Sequence, residues 1–230
     1  CSTHHANSAF YPVIDQLERA AGFTREDTSD TKLDKLEALL GKSATNVKEI
    51  ARLFASLLSL PTDRYPTIDA TAQQLKEQTI AALNDQLLGL ASQNPVMFLI
   101  EDVQWCDPTT LELISDAITR IIDARVLLVI TYRPEFEPTW TGHAHVSVQT
   151  LNRLSRREGS EVVEKVTGGK SLPKEVLDLI VAKTDGIPLY VEELTKNVLE
   201  AGFLKDAGDH YELDGPIPAL AIPTTLQESL

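Results

Sequence analysis

The 230-residue sequence has few cysteines and little positive charge. Its two cysteines, Cys1 and Cys106, cannot build the several disulfides that stabilise small secreted domains, so a reducing, cytoplasmic setting is favoured. Lys and Arg number 21 against 34 Asp and Glu, and the formal net charge is -13. A protein that follows nucleic-acid phosphates needs a basic face. We therefore expect no nucleic-acid binding through this segment.

Long hydrophobic segments are also missing. The longest apolar runs, such as 96–100 and 126–131, are far shorter than the ~20 residues that a membrane-spanning helix needs. No signal peptide is recognisable, and we expect no membrane association. The chain starts at Cys1 rather than Met and stops at Leu230 inside a predicted helix, TTLQESL. We expect it to be a piece of a longer protein.

The apolar residues that are present first recur with helical spacing. This spacing predicts helices at 8–21, 32–40, 46–59 and about 70–91. Two uniformly apolar segments follow, VMFLI (96–100) and VLLVIT (126–131), which are typical of strands buried on both faces of a parallel sheet. Between them, Asp107 is predicted to cap a helix that has Pro108 at its first position. A weaker third strand is predicted at 146–151.

The pattern changes after Leu151. Helices are predicted at 155–166, 173–184 and 188–201, and a proline-rich tail with a short hairpin follows. The order of an apolar strand, a helix and a second apolar strand indicates an α/β fold. We predict an incomplete α/β core in 1–151, a small helical subdomain in 152–205 and an irregular connector in 206–230.

Two acidic residues, Glu101 and Asp102, come directly after the first predicted strand. Ligands of open α/β sheets bind at the carboxyl ends of the strands. Adjacent carboxylates there are costly unless a cation or hydrogen-bond donors offset their charge. One acid can hold Mg²⁺ while the other orients or deprotonates an attacking water. The alternative is two solvated acids, with Asp107 acting only as a helix cap.

Two further elements lie later in the chain. Arg133 comes two residues after the second strand, where a guanidinium can bind a phosphate in a forked manner. The alternative is a surface arginine paired with Glu135. A Gly186-Ile187-Pro188 turn opens a predicted helix and can place backbone against an adenine ring. The alternative is a simple turn between helices with proline at the first helical position.

The sequence contains no convincing motif for a phosphate-binding loop, a histidine metal site or a serine hydrolase. No G-x-x-x-x-G-K-[ST] loop occurs, and Gly168-Gly169-Lys170-Ser171 lacks its first glycine and a preceding buried strand. The histidines at 4 and 5, and those at 143 and 145, have no second pair of ligands at workable spacing for a metal. A hydrolase motif G-x-S-x-G is absent. Cys106 is expected to be a small buried residue.

Six segments, in this order, carry a resemblance to a known family: CSTHHANSAFYPVIDQLERAAGF, FLIEDVQWCDPTTLELI, LLVITYRPEFEPTWTGHAHV, LNRLSRREGSEVVEKVTGGKSLP, TDGIPLYVEELTKNVLEAG and AIPTTLQESL. The chain resembles the signal-transduction ATPases with numerous domains (STAND), a branch of the AAA+-like P-loop NTPases. It is most similar to the ATPase region of bacterial proteins that carry a class III adenylate/guanylate cyclase domain ahead of it and tetratricopeptide-like repeats behind. The resemblance extends over essentially the whole chain.

The resemblance implies a partial parallel P-loop NTPase sheet followed by an all-α lid, with ATP and Mg²⁺ as cofactors. Glu101 matches the metal-coordinating acid of the Walker B site, and Asp102 matches the neighbouring acid that positions water. The family pair is more usually Asp-Asp or Asp-Glu, so both acids are candidate metal ligands and the division of their roles stays open. Arg133 matches the sensor arginine on the following strand.

The resemblance also implies residues that contact the nucleotide. Gly186 and Pro188 match the GxP turn of the lid, and Trp105 and Asp107 match a W-x-D extension. In this family the phosphate-binding loop lies upstream of CSTHHANSA, so the chain is expected to lack it. It is also expected to lack the first strand of the family's sheet, which is central and would lie in the sheet between the strands at 126–131 and 146–151. The chain alone is therefore expected to be inactive.

The function implied is an ATP-hydrolysing conformational switch that controls an attached output domain, a class III nucleotidyl cyclase. Attached cyclase and tetratricopeptide-like domains are the implied partners, and a nucleotide-dependent oligomer is compatible with the resemblance. One alternative is a regulatory scaffold that does not hydrolyse ATP. Another is the ATPase region of a transcription regulator with a C-terminal helix-turn-helix.

Overall fold

A computed structural model describes residues 8–43 and 46–216 of the chain. They form a mixed α/β protein that divides into two compact units between Val148 and Gln149. The predictions for Cys1, for the histidines at 4 and 5, and for the final helix TTLQESL lie outside the described residues.

The first unit contains five helices and two strands within its described part. The helices are α1 (Tyr11–Ala21), α2 (Ser29–Leu40), α3 (Val47–Leu57), α4 (Ala72–Gln93) and α5 (Pro108–Arg120). The strands are β1 (Val96–Ile100) and β2 (Val126–Ile130). The predicted helices and these two strands are confirmed, with ends shifted by a few residues. Thr71 and Gln74 form a reciprocal capping box that starts α4.

Helices α1 to α4 pack around a leucine-rich core. Leu33, Leu36 and Leu40 repeat at helical spacing on α2 and are almost completely buried, together with Phe54 of α3. Burying each such side chain contributes about 1.5–3 kcal/mol. This core supports α4, which leads directly into β1.

Strands β1 and β2 form a two-stranded parallel sheet. Their register runs from Val96↔Val126 to Ile100↔Ile130, so both carboxyl ends reach the same edge. Ile100 and Leu128 lie on the face that packs against Ile114 and Ile118 of α5. The sheet and α5 therefore fix the position of the loops that follow β1 and β2.

The prediction that these strands are buried on both faces is wrong for this structure. Side chains alternate along a strand, and Met97, Leu99 and Leu127 point away from α5, with 67%, 49% and 60% of their surface exposed. An apolar run predicts two covered faces only when elements pack on both sides. Among the described residues, helical cover is found on the α5 side.

The predicted third strand at 146–151 is also wrong. These residues have no strand assignment, and Val148 and Leu151 are exposed. A β-strand is defined by hydrogen bonds to a neighbour, and no strand in the described part of the chain pairs with this segment. Its alternation of apolar and polar residues was therefore insufficient to predict a strand.

The second unit is mainly helical. It contains α6 (Arg156–Val166), α7 (Lys174–Thr184) and α8 (Pro188–Glu200), followed by the antiparallel hairpin of β3 (Leu204–Asp206) and β4 (Tyr211–Leu213). The three predicted helices and the short hairpin are confirmed. Its core is formed by Val163, Val176, Ile180, Val191, Leu194, Val198 and Phe203. Among the described helices of both units, none is long and apolar enough to cross a membrane.

Candidate functional site

The carboxyl ends of β1 and β2 stay joined beyond the last paired residues. The backbone N–H of Thr131 donates to the carbonyl of Ile100 at 2.9 Å, and the N–H of Val103 donates to the carbonyl of Thr131 at 3.0 Å. The chain that leaves β1 therefore bends towards the end of β2. This brings the acidic segment next to the segment that carries Arg133.

Asp102 adopts a left-handed backbone conformation, with φ 54° and ψ 50°. This region is uncommon for residues other than glycine, although Asp and Asn tolerate it better than most. The Asp102 N–H donates to Thr131 Oγ1 at 3.1 Å, which holds the turn against β2. Strained backbone of this kind occurs often at functional sites. Here it lies at one of the two acids for which the resemblance implies a role with metal or water.

Gln104 connects the two candidate residues. Its Nε2 donates to Asp102 Oδ1 at 3.0 Å, and its Oε1 accepts a hydrogen bond from the Arg133 backbone N–H at 3.2 Å. The side chain is half-buried on the short 3₁₀ turn Val103–Trp105. The structure thus brings Asp102 and the Arg133 segment together through Gln104.

The sequence predictions missed both Gln104 and Thr131. Thr131 is the first residue after β2, and Gln104 lies two residues after Asp102. Polar residues this close to the carboxyl end of a parallel strand are candidates for the site by position alone. That positional signal was available in the sequence.

The side chains of Glu101 and Arg133 are exposed at this edge of the sheet. Among the described residues, Arg133 forms no ion pair with Glu135, which the alternative interpretation required. Its guanidinium is accessible from solvent and presents a rigid fork of donors that suits phosphate oxygens. The edge therefore combines two carboxylates and one arginine from neighbouring strands.

A complete protein metal site is not formed here. Among the described residues, no three His, Cys, Asp or Glu side chains lie close enough together to hold a metal ion. Mg²⁺ commonly uses one or two carboxylates and takes its other ligands from water and nucleotide phosphates. Glu101 and Asp102 fit that donor set, with Glu101 exposed and Asp102 half-buried.

Asp107 is occupied as a helix cap. Its carboxylate accepts hydrogen bonds from the N–H groups of Thr109 and Thr110, each at 3.0 Å, and from the Thr110 hydroxyl. Only 3% of Asp107 is exposed. These contacts match the alternative in which Asp107 only begins α5. Trp105 is partly exposed on the adjacent turn, and contacts of both residues with a nucleotide stay predictions.

Cys106 is buried, as the sequence predicted. Desolvation by burial raises the pKa of its thiol to about 11. A thiol in this state is a poor nucleophile near neutral pH because the thiolate is the reactive species. Cys106 therefore contributes packing beneath the 3₁₀ turn.

The GxP turn lies in the second unit and is fixed by its own neighbours. Gly186 has φ +70°, and a Cβ at this position would lie 2.4 Å from the carbonyl oxygen of Leu154. The Leu154 N–H donates to the Gly186 carbonyl at 2.7 Å, and Pro188 is the first residue of α8. The turn therefore ties α8 to the segment before α6. Nucleotide contact by Gly186 and Pro188 stays a prediction.

Comparisons with known proteins place the chain in no described family. No protein family model matches it, and no solved structure matches it. It is similar to the uncharacterized protein R02095 of Rhizobium meliloti (strain 1021), with 24% identity over 189 residues. The similarity covers 81% of this chain and 18% of that protein. The chain therefore spans less than a fifth of the length of this relative.

Proposed function

We infer that the edge formed by Glu101, Asp102 and Arg133 is the metal and water half of an ATP site in a signal-transduction ATPase. The observation that carries this inference is the hydrogen-bonded link between Asp102 and the Arg133 segment at the carboxyl ends of two parallel strands. A P-loop NTPase core with a helical lid is part of this proposal. ATP hydrolysis would act as a conformational switch for an attached output domain, a class III nucleotidyl cyclase.

Each residue has a role that its position supports. Glu101 is exposed and provides a carboxylate for Mg²⁺, which, when bound, neutralises charge on the phosphates. Asp102 is half-buried and held by hydrogen bonds, so it can orient an attacking water. The exposed Arg133 guanidinium binds the terminal phosphate and stabilises the charge that develops during transfer.

The phosphate-binding loop belongs, in this proposal, to another part of a longer polypeptide. Backbone amides and a lysine usually hold the phosphates of a nucleotide, and the G-x-x-x-x-G-K-[ST] pattern is not in this sequence. The Rhizobium meliloti relative supports the existence of longer proteins with this region, since the similar part is 18% of its length.

A regulatory scaffold without ATP hydrolysis is the second candidate. Two observations favour it. Asp107 is fully engaged as a helix cap, and the backbone of Leu154 occupies the open side of Gly186. Both are residues that the ATPase proposal uses for nucleotide contact. The transcription-regulator variant differs only in the attached output domain.

ATP turnover separates the two candidates. Phosphate release is measured on the longest natural polypeptide that contains this sequence, for the wild type, Asp102→Asn and Arg133→Ala. We expect each substitution to lower kcat by about 10²-fold or more, because a positioned acid or an arginine on the transferred phosphate contributes that much. Asp102→Asn keeps a residue that tolerates the left-handed backbone. Equal rates in all three proteins would contradict the ATPase role of these residues, and absence of turnover in all three would favour the scaffold.

A further inference from the structure

Gln104 is the side chain that links Asp102 to the Arg133 segment. It lies between Asp102 and Arg133 in space, and both ends of its amide are used. Nε2 lies 3.0 Å from Asp102 Oδ1, and Oε1 lies 3.2 Å from the Arg133 backbone nitrogen. The amide therefore bridges the segment after β1 and the segment after β2.

The chemistry of the two contacts fixes the orientation of the amide. A glutamine has donors on one end and an acceptor on the other. The carboxylate of Asp102 requires a donor, and the N–H of Arg133 requires an acceptor. A flipped amide would place oxygen against carboxylate and N–H against N–H. Both contacts therefore select the same orientation.

The Asp102 side chain depends on Gln104 more than its backbone does. The backbone around Asp102 is held by Thr131 through the Asp102 and Val103 N–H groups. The Asp102 carboxylate, among the described residues, hydrogen-bonds to no other side chain. Because a hydrogen bond to a charged group is among the stronger kinds, the amide sets the direction of this carboxylate.

We propose that Gln104 is a positioning residue that holds the Asp102 carboxylate and the Arg133 segment in one fixed arrangement. It acts through these two groups and has no contact of its own with the reacting atoms. Three further hydrogen bonds join the strand ends, and Gln104 adds the side-chain link between the Asp102 carboxylate and the Arg133 backbone. The inference rests on the proposed function, since it assigns Gln104 a task in ATP hydrolysis.

The first experiment measures MgATP turnover and binding in the longest natural polypeptide. Gln104→Met has nearly the same length and forms neither hydrogen bond. Gln104→Glu keeps the acceptor for Arg133 and places a second carboxylate against Asp102. We expect kcat to fall about tenfold in both, with the MgATP dissociation constant changed less than about twofold. Gln73→Met, on the exposed start of α4, is the matched control and should change neither value.

A double-mutant comparison tests whether Gln104 acts through Asp102. We expect Gln104→Met to lower kcat by less than about twofold in the Asp102→Asn background, because the carboxylate it positions is already gone. The same tenfold loss in both backgrounds would show that Gln104 has only a general structural role and would overturn the proposal.

The second experiment does not depend on ATP. Hydrogen exchange of the Arg133 backbone amide is measured in the 230-residue chain. We expect exchange to rise about tenfold in Gln104→Met. Exchange should also rise in Asp102→Gly, which releases the other end of the Gln104 amide. It should stay unchanged in Gln104→Glu, which keeps the acceptor for the Arg133 N–H. Unchanged exchange in Gln104→Met would overturn the proposal. Absence of wild-type turnover, in contrast, would overturn the proposed function.

Discussion

At the scale of single residues, Asp102 combines a candidate catalytic carboxylate with an unusual backbone. Its left-handed backbone is held by the hydrogen bond from its N–H to Thr131 Oγ1, and the amide of Gln104 holds its carboxylate. Most residues lose about 1–2 kcal/mol in this conformation, whereas glycine does not. Asp102 therefore places a carboxylate where the backbone conformation would suit glycine.

This conformation gives a stability prediction. We expect Asp102→Ala to lower the free energy of unfolding by about 1 kcal/mol more than Asp102→Gly, although both remove the carboxylate. Urea unfolding followed by tryptophan fluorescence measures the difference, because Trp105 and Trp140 both lie in the first unit. Equal stability of the two variants would contradict the left-handed backbone at this residue.

Cys106 gives a prediction on reactivity and pH. Its pKa is raised from 9.0 to about 11 by desolvation. The folded state therefore binds the proton more tightly than the unfolded state, and stability falls as the pH rises from 9.0 to about 11. In a Cys1→Ser background, we expect alkylation at pH 8 to be slow in the folded chain and fast in urea.

The control for this prediction is Cys106→Ala, which should lose less stability over the same alkaline range. Rapid alkylation of Cys106 in the folded protein at pH 8 would show that its thiol is accessible and that its pKa is not raised.

The residues of the site were only partly predictable from the sequence. Glu101, Asp102 and Arg133 were predicted as candidates because their positions after apolar runs can be recognised from the sequence alone. Gln104 and Thr131 were missed because their contacts depend on strand register and on the left-handed turn at Asp102. The helix cap at Asp107, in contrast, was predicted correctly, because an aspartate directly before Pro108 is a local signal for the start of a helix.

At the scale of secondary-structure elements, the turn between α7 and α8 depends on one glycine. We expect Gly186→Ala to destabilise the second unit by about 2 kcal/mol or more, because it adds a clash with Leu154 to the cost of a positive φ. Gly202→Ala is the matched control, with φ +74° and no atom near the new Cβ. Its cost should be limited to about 1 kcal/mol.

Hydrogen exchange of the α8 amides measures both variants in the second unit. If Gly186→Ala and Gly202→Ala had equal effects, the close approach of Leu154 to the turn would be contradicted.

The exposed face of the sheet gives a second prediction at this scale. Met97 and Leu127 lie opposite each other on that face. We expect the double substitution Met97→Gln, Leu127→Gln to leave the free energy of unfolding of the 230-residue chain within about 0.5 kcal/mol. Leu128→Gln, on the face that packs against α5, should cost about 2 kcal/mol or more.

Urea unfolding of the three proteins provides the measurement. A large loss of stability in the double variant would show that the Met97 face is buried when the chain is in solution.

The elements themselves were predicted well where local pattern decides. The helices and the strands β1 and β2 follow from apolar periodicity and from caps such as Thr71 and Asp107. The errors at 146–151 and on the Met97 face have a common physical cause. Strand formation and burial of a second face depend on neighbouring elements, and a local sequence pattern contains no information about whether those neighbours are present.

At the scale of the whole molecule, the chain contains one half of the site that we propose. We expect the 230-residue chain to bind MgATP with a dissociation constant weaker than about 100 μM, because the amides and lysine that usually hold the phosphates are not in its sequence. Isothermal titration calorimetry measures this affinity. A micromolar dissociation constant would show that the described residues form a more complete site than proposed.

The central claim is that Asp102 takes part in ATP hydrolysis. The most direct test is MgATP turnover by the longest natural polypeptide that contains this sequence, comparing Asp102→Asn with Asp123→Asn. Asp123 is exposed and precedes β2, so it lies at the opposite end of the strands. We predict that Asp102→Asn lowers kcat by about 10²-fold or more while Asp123→Asn leaves it unchanged. Equal turnover by the two variants would contradict the claim.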